Sequence, residues 1–324
     1  MKPGIYFNLS DADYFGGTAL GSTDLKTLCK APADWWYGSA YNPDRIVTSK
    51  SHFDFGKALH SLVLEGENAF DKLVTLSPFD SFRTNEAKAW KAEQEAAGRA
   101  ILTADEIKIL RHMTTLIHKH PDFSSLPTDK WLKEVAVFWY QDGVLMRAKF
   151  DALKVGMGLD LKTYGGHNTQ GRSPFDTAMR IVANLNYDVQ RAHYARAYIE
   201  LIKHVHAGLY LDANDSQAAF LKRIADQPAF AWIWLFYQVM DNAKANAPVV
   251  MPVGVVADDA SHRSGDMKIR AALANYKGYM AKYGVDVPWA QIEKLRWADD
   301  TDFVLWMSDV ADPQFNPENM KEAA

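Results

Sequence analysis

Two aspartates and a lysine lie close together in the segment RAKFDALKVGMGLDLKTYGG, residues 147–166. Asp151 and Asp160 are nine positions apart, and Lys162 follows two positions after Asp160. Carboxylate oxygens are preferred ligands of Mg²⁺, and an ammonium beside a metal can orient a water or stabilise charge on a phosphorane-like oxygen. The segment therefore indicates a metal site, although an Asp-x-Lys sequence on a strand is by itself more often structural than catalytic.

Strand periodicity predicts how these side chains are arranged. Alternate residues of VLMRAKFDA share a face of a sheet, which puts Arg147, Lys149 and Asp151 on one face. In GLDLKT, Asp160 and Lys162 share the polar face and the two leucines lie on the other. Each strand is thus expected to have one polar and one apolar face.

An Asp142-Gly143 pair predicts a β-hairpin between KEVAVFWYQ and VLMRAKFDA. A two-residue turn fixes the register, and this register places Glu134 opposite Asp151. Facing carboxylates repel each other, and a divalent cation between them would reverse that effect. Glu134 is therefore a further candidate metal ligand. The equal alternative is that Glu134 forms a salt bridge with a basic residue on the same face of the sheet.

Composition sets limits on the fold and on the kind of site. The chain has 324 residues and is 48% hydrophobic, enough for one large domain or two ordinary ones. No apolar run approaches the roughly 18 residues of a membrane span, and the N-terminus lacks a signal-peptide layout, so a cytoplasmic protein is expected. Cys29 is the single cysteine, which excludes an iron–sulfur cluster with four cysteine ligands from one chain. The net charge of -4 argues against a uniformly basic nucleic-acid surface.

The remaining patterns predict the elements that position these residues. Helices are predicted in GSTDLKTLCKAPADWWYGSAYNP, FDFGKALHSLVLEGENAF, NEAKAWKAEQEAAGRA, TADEIKILRHMTTLIHKHP, SPFDTAMRIVANLN, YDVQRAHYARAYIELIKHVH and SGDMKIRAALANYKGYMAKYG, and further strands in GLDLKT, FAWIWLFYQV and APVVMPVGVVAD. This order predicts an α/β fold with a mixed central sheet flanked by helices and a helical N-terminal elaboration. A single domain is expected over residues 1–312, mainly helical over about 1–130 with the core over about 131–290, followed by a polar tail at 313–324.

Six segments between about residues 20 and 280 carry a resemblance to a known enzyme family: STDLKTLCKAPADWW, FGKALHSLVLE, EVAVFWYQDGVLMRAKFDAL, LDLKT, YDVQRAHYARAY and RAALANYKGY. In this order they resemble the PD-(D/E)xK nuclease superfamily, and most closely its RecE-like branch, the exodeoxyribonuclease VIII and phage-type exonucleases. The order of several elements is more specific than the D-x-K motif alone. The sequence departs from the family in having Lys149 where an arginine often precedes the first aspartate.

The resemblance implies a restriction-endonuclease-like core and a site for Mg²⁺, or for Mn²⁺ in its place. Asp151 and Asp160 match the family's metal-binding carboxylates, and His60 of GKALH matches an additional metal ligand. The backbone carbonyl of Leu161 is an extra candidate ligand, and Lys162 matches the lysine that positions or activates the attacking water.

The Q-x-x-x-Y element of the family matches Gln190 and Tyr194, which the resemblance places in the catalytic site near the DNA backbone and the scissile phosphate. Arg147, Lys149 and Arg172 are candidate phosphate contacts, as are the basic positions of NEAKAWKAEQEAAGRA. All these assignments depend on the family resemblance or on charge alone.

The function that the resemblance implies is a metal-dependent exodeoxyribonuclease of a bacterial or phage-infected cell. Such enzymes digest linear double-stranded DNA from its 5′ ends, leave 3′ single-stranded tails for a recombinase or annealing protein, and tend to form ring-like homo-oligomers. Two alternatives stay open. One is an endonuclease or single-strand nuclease of the same superfamily, and the other is a DNA-binding or protein-interaction module on an inactivated nuclease core.

Overall fold

The computed structural model describes residues 1–46, 51–79, 81–165, 171–239, 248–256, 259–292 and 295. Residues Met1–Trp289 form one compact unit. The predicted polar tail at 313–324 lies outside the described residues. Across the described parts of the chain, none of the helices combines the length and the apolar composition needed to cross a membrane.

A mixed sheet forms the centre of the first unit. The described strands are β1 Gly4–Tyr6, β2 Val74–Leu76, β3 Ala100–Leu102, β4 Leu132–Gln141, β5 Val144–Lys154, β6 Met157–Gly165, β7 Ala231–Val239 and β8 Val249–Val255. Six of them form one sheet in the order β1-β4-β5-β6-β7-β8. Its neighbouring strands are antiparallel except for β6 and β7, which are parallel, while β2 and β3 form a separate parallel pair.

Most helices occur where the sequence patterns predict them, with two interruptions, whereas α1 and α10 were not predicted. They are α1 Asp11–Gly16, α2 Ser22–Lys30, α3 Pro32–Gly38, α4 Ser51–His60, α5 Glu67–Leu73, α6 Asn85–Ala96, α7 Ala104–Lys119, α8 Pro174–Asn184, α9 Tyr187–His206, α10 Asp215–Ala225 and α11 Ala260–Tyr283. The first predicted helix is two helices, because Pro32 begins α3. The second is divided by a π-helical turn, Ser61–Glu65, and by Gly66 with φ 89°.

Helices cover both faces of the sheet. On one face, Phe150, Trp232 and Trp234 belong to the same buried cluster as the apolar residues of α2, α9 and α11. On the other face, Leu161 and Leu235 share a cluster with the apolar residues of α4, α7 and the π-helical turn. Truncating a buried aromatic residue of this kind to alanine typically costs about 3–5 kcal/mol, so the two clusters fix the sheet firmly between its helices. The predicted α/β class, with a mixed sheet flanked by helices, is confirmed.

The β4–β5 hairpin has the predicted turn. Asp142 has φ 51° and Gly143 has φ 80°, the left-handed conformation that a two-residue hairpin turn requires at both positions. The pair next to the turn is Gln141 with Val144, as the two-residue loop predicts. The part of the chain before residue 131 contains the short strands β1, β2 and β3 in addition to its helices.

Candidate functional site

The alternation of β5 is interrupted at Asp151. Phe150 and Leu153 belong to the same core cluster, whereas Ala152 belongs to the cluster on the opposite face. Phe150 and Leu153, which lie on the same face, are therefore three positions apart, whereas in a regular strand residues of one face are two positions apart. Regular alternation would put Phe150 and Ala152 on the same side, so the strand departs from it between these two residues. The common face expected for Arg147, Lys149 and Asp151 stays a prediction.

The partner strand is irregular at the same place. The pairs on either side of Glu134 keep the predicted register, but Glu134 and Asp151 are not themselves a regular pair, and Glu134 has φ 52°. A positive φ is unfavourable for glutamate, and such strain is often found at functional sites. The Glu134 carboxylate forms an ion pair with Lys149 (Oε2 to Nζ 2.8 Å). The salt-bridge alternative is therefore present, and a metal-binding role for Glu134 stays a prediction.

The β5–β6 hairpin pairs only next to its turn. Its ladder ends with Ala152 opposite Leu159, so Asp151 and Asp160 are the first residues beyond the paired segment. Past this point, Leu161 donates its backbone N–H to the Asp151 carboxylate (N to Oδ2 2.9 Å) instead of to a strand partner. We call the gap between β5 and β6 that begins at Asp151 and Asp160 the strand opening.

Helix α9 satisfies the edge of β5 that faces the strand opening. His193 donates from Nε2 to the Arg147 carbonyl (2.7 Å), and the Tyr194 hydroxyl donates to the Lys149 carbonyl (2.8 Å). Buried backbone carbonyls without a donor would be costly, so these side chains replace a missing strand. Burial lowers the pKa of His193 to about 4, which keeps its imidazole neutral.

The same helix holds the aspartate of β6. Gln190 donates from Nε2 to Asp160 Oδ1 (2.8 Å), and its Oε1 accepts from Trp234 Nε1 (3.2 Å). Gln190 and Tyr194 lie one turn apart on α9, so the Q-x-x-x-Y element holds a carboxylate of β6 with one residue and the backbone of β5 with the other. Both side chains are buried, and their expected contact with DNA stays a prediction.

Asp160 is the most buried carboxylate of the site, with 4% of its surface exposed. Lys162 Nζ lies 2.9 Å from Asp160 Oδ1 and 2.8 Å from Oδ2, but Oδ2 accepts no hydrogen bond of good geometry. Burial raises the pKa of Asp160, an effect that Lys162 opposes and the nearby Asp151 carboxylate increases. Burial also disfavours the charged form of Lys162, but the Asp160 carboxylate and, more weakly, the Asp151 carboxylate together raise the pKa of the ammonium above its usual range.

His60 lies at the end of α4 and contacts the other carboxylate. Its Nε2 is 2.9 Å from Asp151 Oδ2, and its Nδ1 is 2.8 Å from the Gly56 carbonyl. Burial disfavours the imidazolium, but the charge and hydrogen bond of the Asp151 carboxylate, together with the Gly56 carbonyl and the Asp160 carboxylate, raise the pKa of His60 to about 9. The structure therefore brings His60 to the predicted site as a partner of Asp151. To bind a metal directly, His60 Nε2 would have to give up its contact with Asp151 Oδ2. The role of His60 as a metal ligand stays a prediction.

The donor set of the strand opening fits Mg²⁺ better than a metal that needs a complete protein cage. Among the described residues, no group of three or more His, Cys, Asp or Glu side chains is arranged to hold a metal ion. Mg²⁺, however, is usually bound by one or two carboxylates and keeps several waters. Asp160 Oδ2 is buried and accepts no hydrogen bond of good geometry, although Lys162 Nζ lies 2.8 Å away, and Asp151 lies across the opening from it. These two carboxylates are the residues that could hold the ion.

The candidate phosphate contacts are mostly committed to the fold. The Arg147 guanidinium donates to the Tyr14 carbonyl (2.8 Å) and to Asp24 Oδ2 (3.2 Å) and is buried. Lys149 Nζ lies 2.9 Å from Asp11 Oδ1, in addition to its ion pair on β4. In these positions both cations connect the N-terminal helices to the sheet, and their contact with DNA stays a prediction.

The other candidates lie further along the chain. Arg172 is half-buried just before α8. In the α6 segment, Lys91 pairs with Glu95 (3.6 Å), and Arg99 donates to the Val74 carbonyl (2.6 Å). The structure does not bring the α6 residues into contact with the carboxylates of the strand opening, and a DNA contact there also stays a prediction.

Sequence reasoning missed two residues at the strand opening. Lys26 of α2 has its Nζ 4.4 Å from the centre of the Tyr187 ring, and Lys162 Nζ lies 5.1 Å from the same ring. A usable signal was present, because Lys26 flanks the apolar stripe of Leu25 and Leu28 on α2 instead of lying opposite it. A lysine in that position has its stem against the core and its ammonium at the edge of a buried surface.

Comparisons with known proteins add little to this geometry. No model of a protein family matches the chain, and no curated protein matches it. Among solved structures, the chain is similar to a "Putative exonuclease" from Eubacterium rectale, with a TM-score of 0.49 and 13% identity, covering 94% of this chain and 99% of that chain. A likeness at this level assigns neither family nor activity.

Proposed function

We propose that the protein is a divalent-metal-dependent nuclease that hydrolyses DNA phosphodiesters at the strand opening. The observation that carries the proposal is Asp160, a buried carboxylate beside Lys162 that faces Asp151 across two diverging strands. Two carboxylates and an ammonium on neighbouring strands form a suitable environment for a metal and a phosphate. The order of the six family-like segments supports the same activity.

Asp151 and Asp160 would hold the ion. When bound, Mg²⁺ would polarise the phosphate and lower the pKa of the attacking water. Gln190 keeps Asp160 in place through Oδ1 and leaves Oδ2 without a hydrogen bond. The backbone N–H of Leu161 likewise keeps the Asp151 carboxylate in place, by donating to its Oδ2. The protein thus fixes both carboxylates before a ligand arrives, which reduces the reorganisation needed for catalysis.

Lys162 supplies positive charge next to these carboxylates. Because Asp160 raises its pKa, Lys162 is protonated at neutral pH. A protonated lysine can donate hydrogen bonds to a water or to a phosphate oxygen and can stabilise the charge that develops on the phosphate. We therefore assign Lys162 to stabilisation of that charge and to orientation of the water.

The finer features of the proposal come from the family resemblance. We propose a 5′-to-3′ exodeoxyribonuclease that acts on linear double-stranded DNA, uses Mg²⁺ or Mn²⁺ and leaves products with a 5′-phosphate. The 3′ single-stranded tails would serve a recombinase or an annealing protein in a bacterial or phage-infected cytoplasm. A ring-like homo-oligomer around the DNA would explain a requirement for free ends.

The test uses linear duplex DNA labelled separately at its 5′ and 3′ ends, with covalently closed circles as the second substrate. Wild type is compared with Asp160→Asn and with the matched variant Asp142→Asn, which makes the same change at the exposed hairpin turn. We expect release of 5′ label with Mg²⁺ but not with a chelator, intact circles, a silent Asp160→Asn and an active Asp142→Asn. Cleaved circles would favour the endonuclease alternative, and a wild type without cleavage would contradict the proposal.

A further inference from the structure

Two ammonium groups lie against one aromatic ring at the strand opening. The ring belongs to Tyr187, the first residue of α9, and it is stacked near Phe236 of β7 with 6.5 Å between centroids and 29° between planes. The ammonium of Lys26 approaches this ring to 4.4 Å and that of Lys162 to 5.1 Å. An aromatic face stabilises a nearby cation, but it does not neutralise its charge.

The two lysines differ in their partners. Lys162 is paired with Asp160, whereas Lys26 has neither a hydrogen-bond nor an ion-pair partner among the residues that the structure describes. Lys26 is half-buried, and burial together with the nearby Lys162 ammonium lowers its pKa to about 8, an effect that the Asp160 and Asp188 carboxylates oppose only in part. Holding an ammonium in such a place without an acidic partner is unfavourable. An anion beside it would remove this cost.

Helix α2 holds Lys26 firmly. Leu25 and Leu28 on the same helix are fully buried, and Asp24 accepts hydrogen bonds from the backbone N–H of Gly21 (2.8 Å) and from Trp35 Nε1 (2.9 Å). The ammonium is therefore presented by a fixed backbone next to the candidate active site, and it is not the mobile end of a surface residue.

The charges of the strand opening show what is missing. His60 pairs with Asp151, and Lys162 pairs with Asp160, so Lys26 is the cation in excess among these five residues. A cation bound by the two carboxylates would add further positive charge. We propose that Lys26 and the Tyr187 ring form a phosphate-binding subsite, which binds a phosphodiester of the DNA strand beside Lys162. This inference rests on the proposed nuclease function.

The test compares Lys26→Gln and Lys26→Arg with the control Lys30→Gln, which removes the same charge one turn along α2 from an exposed position. Cleavage kinetics are measured on linear duplex DNA with Mg²⁺. Duplex binding is measured as a function of salt with each change placed in the Asp160→Asn background, where no cleavage is expected. Thermal unfolding of every variant is recorded without DNA.

We expect Lys26→Gln to raise KM by about tenfold and to reduce the slope of log affinity against log salt concentration by about 0.9, the value for one lost phosphate contact. Lys26→Arg should keep most of the affinity. The melting temperature of Lys26→Gln should stay the same or rise, because the substitution removes a half-buried charge without a partner. A lysine with only a structural role would not combine weaker DNA binding with undiminished stability.

The outcomes that overturn the subsite are separate from those that overturn the nuclease function. If wild type cleaves DNA and Lys26→Gln has the KM and salt slope of Lys30→Gln, the subsite is excluded and the nuclease function stands. If Lys26→Gln lowers the melting temperature and Lys26→Arg fails to restore affinity, the role of Lys26 is structural. A wild type that neither binds nor cleaves DNA would exclude both.

Discussion

The two hairpins that share β5 differ in how far their strands stay paired. The β4–β5 hairpin is paired from the Asp142-Gly143 turn to Leu132 opposite Leu153, with one irregular position. The β5–β6 hairpin is paired only from its turn to Ala152 opposite Leu159. In the closed hairpin the strands satisfy each other's backbone. In the open one, this is done by side chains of α9 and of Asp151, together with the backbone of Leu20, which bonds Leu145 and Arg147.

This difference explains how one sheet can be both stable and reactive. The closed hairpin supplies a rigid edge, because its turn and its ladder are satisfied within the hairpin. The open hairpin leaves space between two strands, where carboxylates can face each other without being forced into direct contact. If this account is right, equivalent substitutions in the two hairpins should have different consequences for cleavage even where they have similar consequences for stability.

The largest effect is expected for the ammonium of the open hairpin. Lys162→Met should lower the rate of DNA cleavage by about a thousandfold, because it removes the charge that stabilises the phosphate. Lys154→Met makes the same change at the end of β5, where the ammonium lies over the Trp131 ring, and should leave the rate essentially unchanged. Initial rates with saturating Mg²⁺ test the pair. Equal rates for the two variants would contradict the assignment of Lys162.

The next effect is on stability in acid, through His193, which caps the open edge of β5. Its pKa is about 4 in the folded protein and near 6.5 when exposed, so the unfolded chain binds the proton more readily between these values. The neutral His193 side chain makes its full contribution to the free energy of unfolding above pH 6.5. This contribution, about 3 kcal/mol in total, is lost as the pH falls towards 4. The free energy of unfolding in urea, measured against pH, should therefore decline less steeply for His193→Gln than for wild type.

A parallel decline of the wild type and of His193→Gln over this pH range would contradict the burial of a neutral imidazole. The chain offers a check on the background, because His204 donates to the Phe138 carbonyl of the closed hairpin in a similar contact (2.8 Å). The free energy of unfolding of His204→Gln is measured over the same pH range. The difference between the two variants gives the part of the pH dependence that is specific to His193 at the open edge of β5.

Smaller effects should separate stability from function along α9. Tyr194→Phe leaves the Lys149 carbonyl without its donor and should cost about 1–2 kcal/mol of stability. Tyr198→Phe, one turn further, removes a hydroxyl that bonds the Gln227 carbonyl (2.9 Å) and should cost a similar amount. Only Tyr194→Phe should also slow cleavage, because only Tyr194 holds β5 at the strand opening. Equal slowing by both would show that general loss of stability is responsible.

The smallest effect is expected at the turn of the closed hairpin. Gly143→Ala places a side chain where φ is 80° and should cost about 1 kcal/mol of stability. Because the turn lies at the far end of β5 from Asp151, the cleavage rate should not change. Urea unfolding and cleavage kinetics on the same sample measure both quantities. A clear change in rate would show that the two hairpins are coupled more strongly than their pairing indicates.

Local signals predicted the parts of the fold that depend on a few neighbouring residues. Asp142-Gly143 has the backbone conformation that its turn requires, and the cap at Thr103 with its partner Glu106 is present before α7. Strand alternation predicted the positions of the five strands β4 to β8. The short strands β1 to β3 were missed, because three residues are too few for a periodic pattern.

The geometry of the site could be predicted only in part, because it depends on contacts between distant segments. The family-like order placed His60 near Asp151, and the structure brings them to 2.9 Å. No local pattern shows that both strands leave regular alternation at Glu134 and Asp151, since the irregularity arises from their pairing. In the same way, the approach of Lys26 to the strand opening depends on how α2 packs against α9 and α11.

The proposed function depends on a divalent cation held by the facing carboxylates of the strand opening. The most direct measurement is a titration of metal-free protein with Mn²⁺, followed by electron paramagnetic resonance, on wild type, Asp160→Asn and Asp142→Asn, with Mg²⁺ as competitor. We predict that wild type and Asp142→Asn bind Mn²⁺ equally, that Mg²⁺ displaces it, and that Asp160→Asn binds at least about tenfold more weakly. Unchanged Mn²⁺ binding by Asp160→Asn would contradict the account.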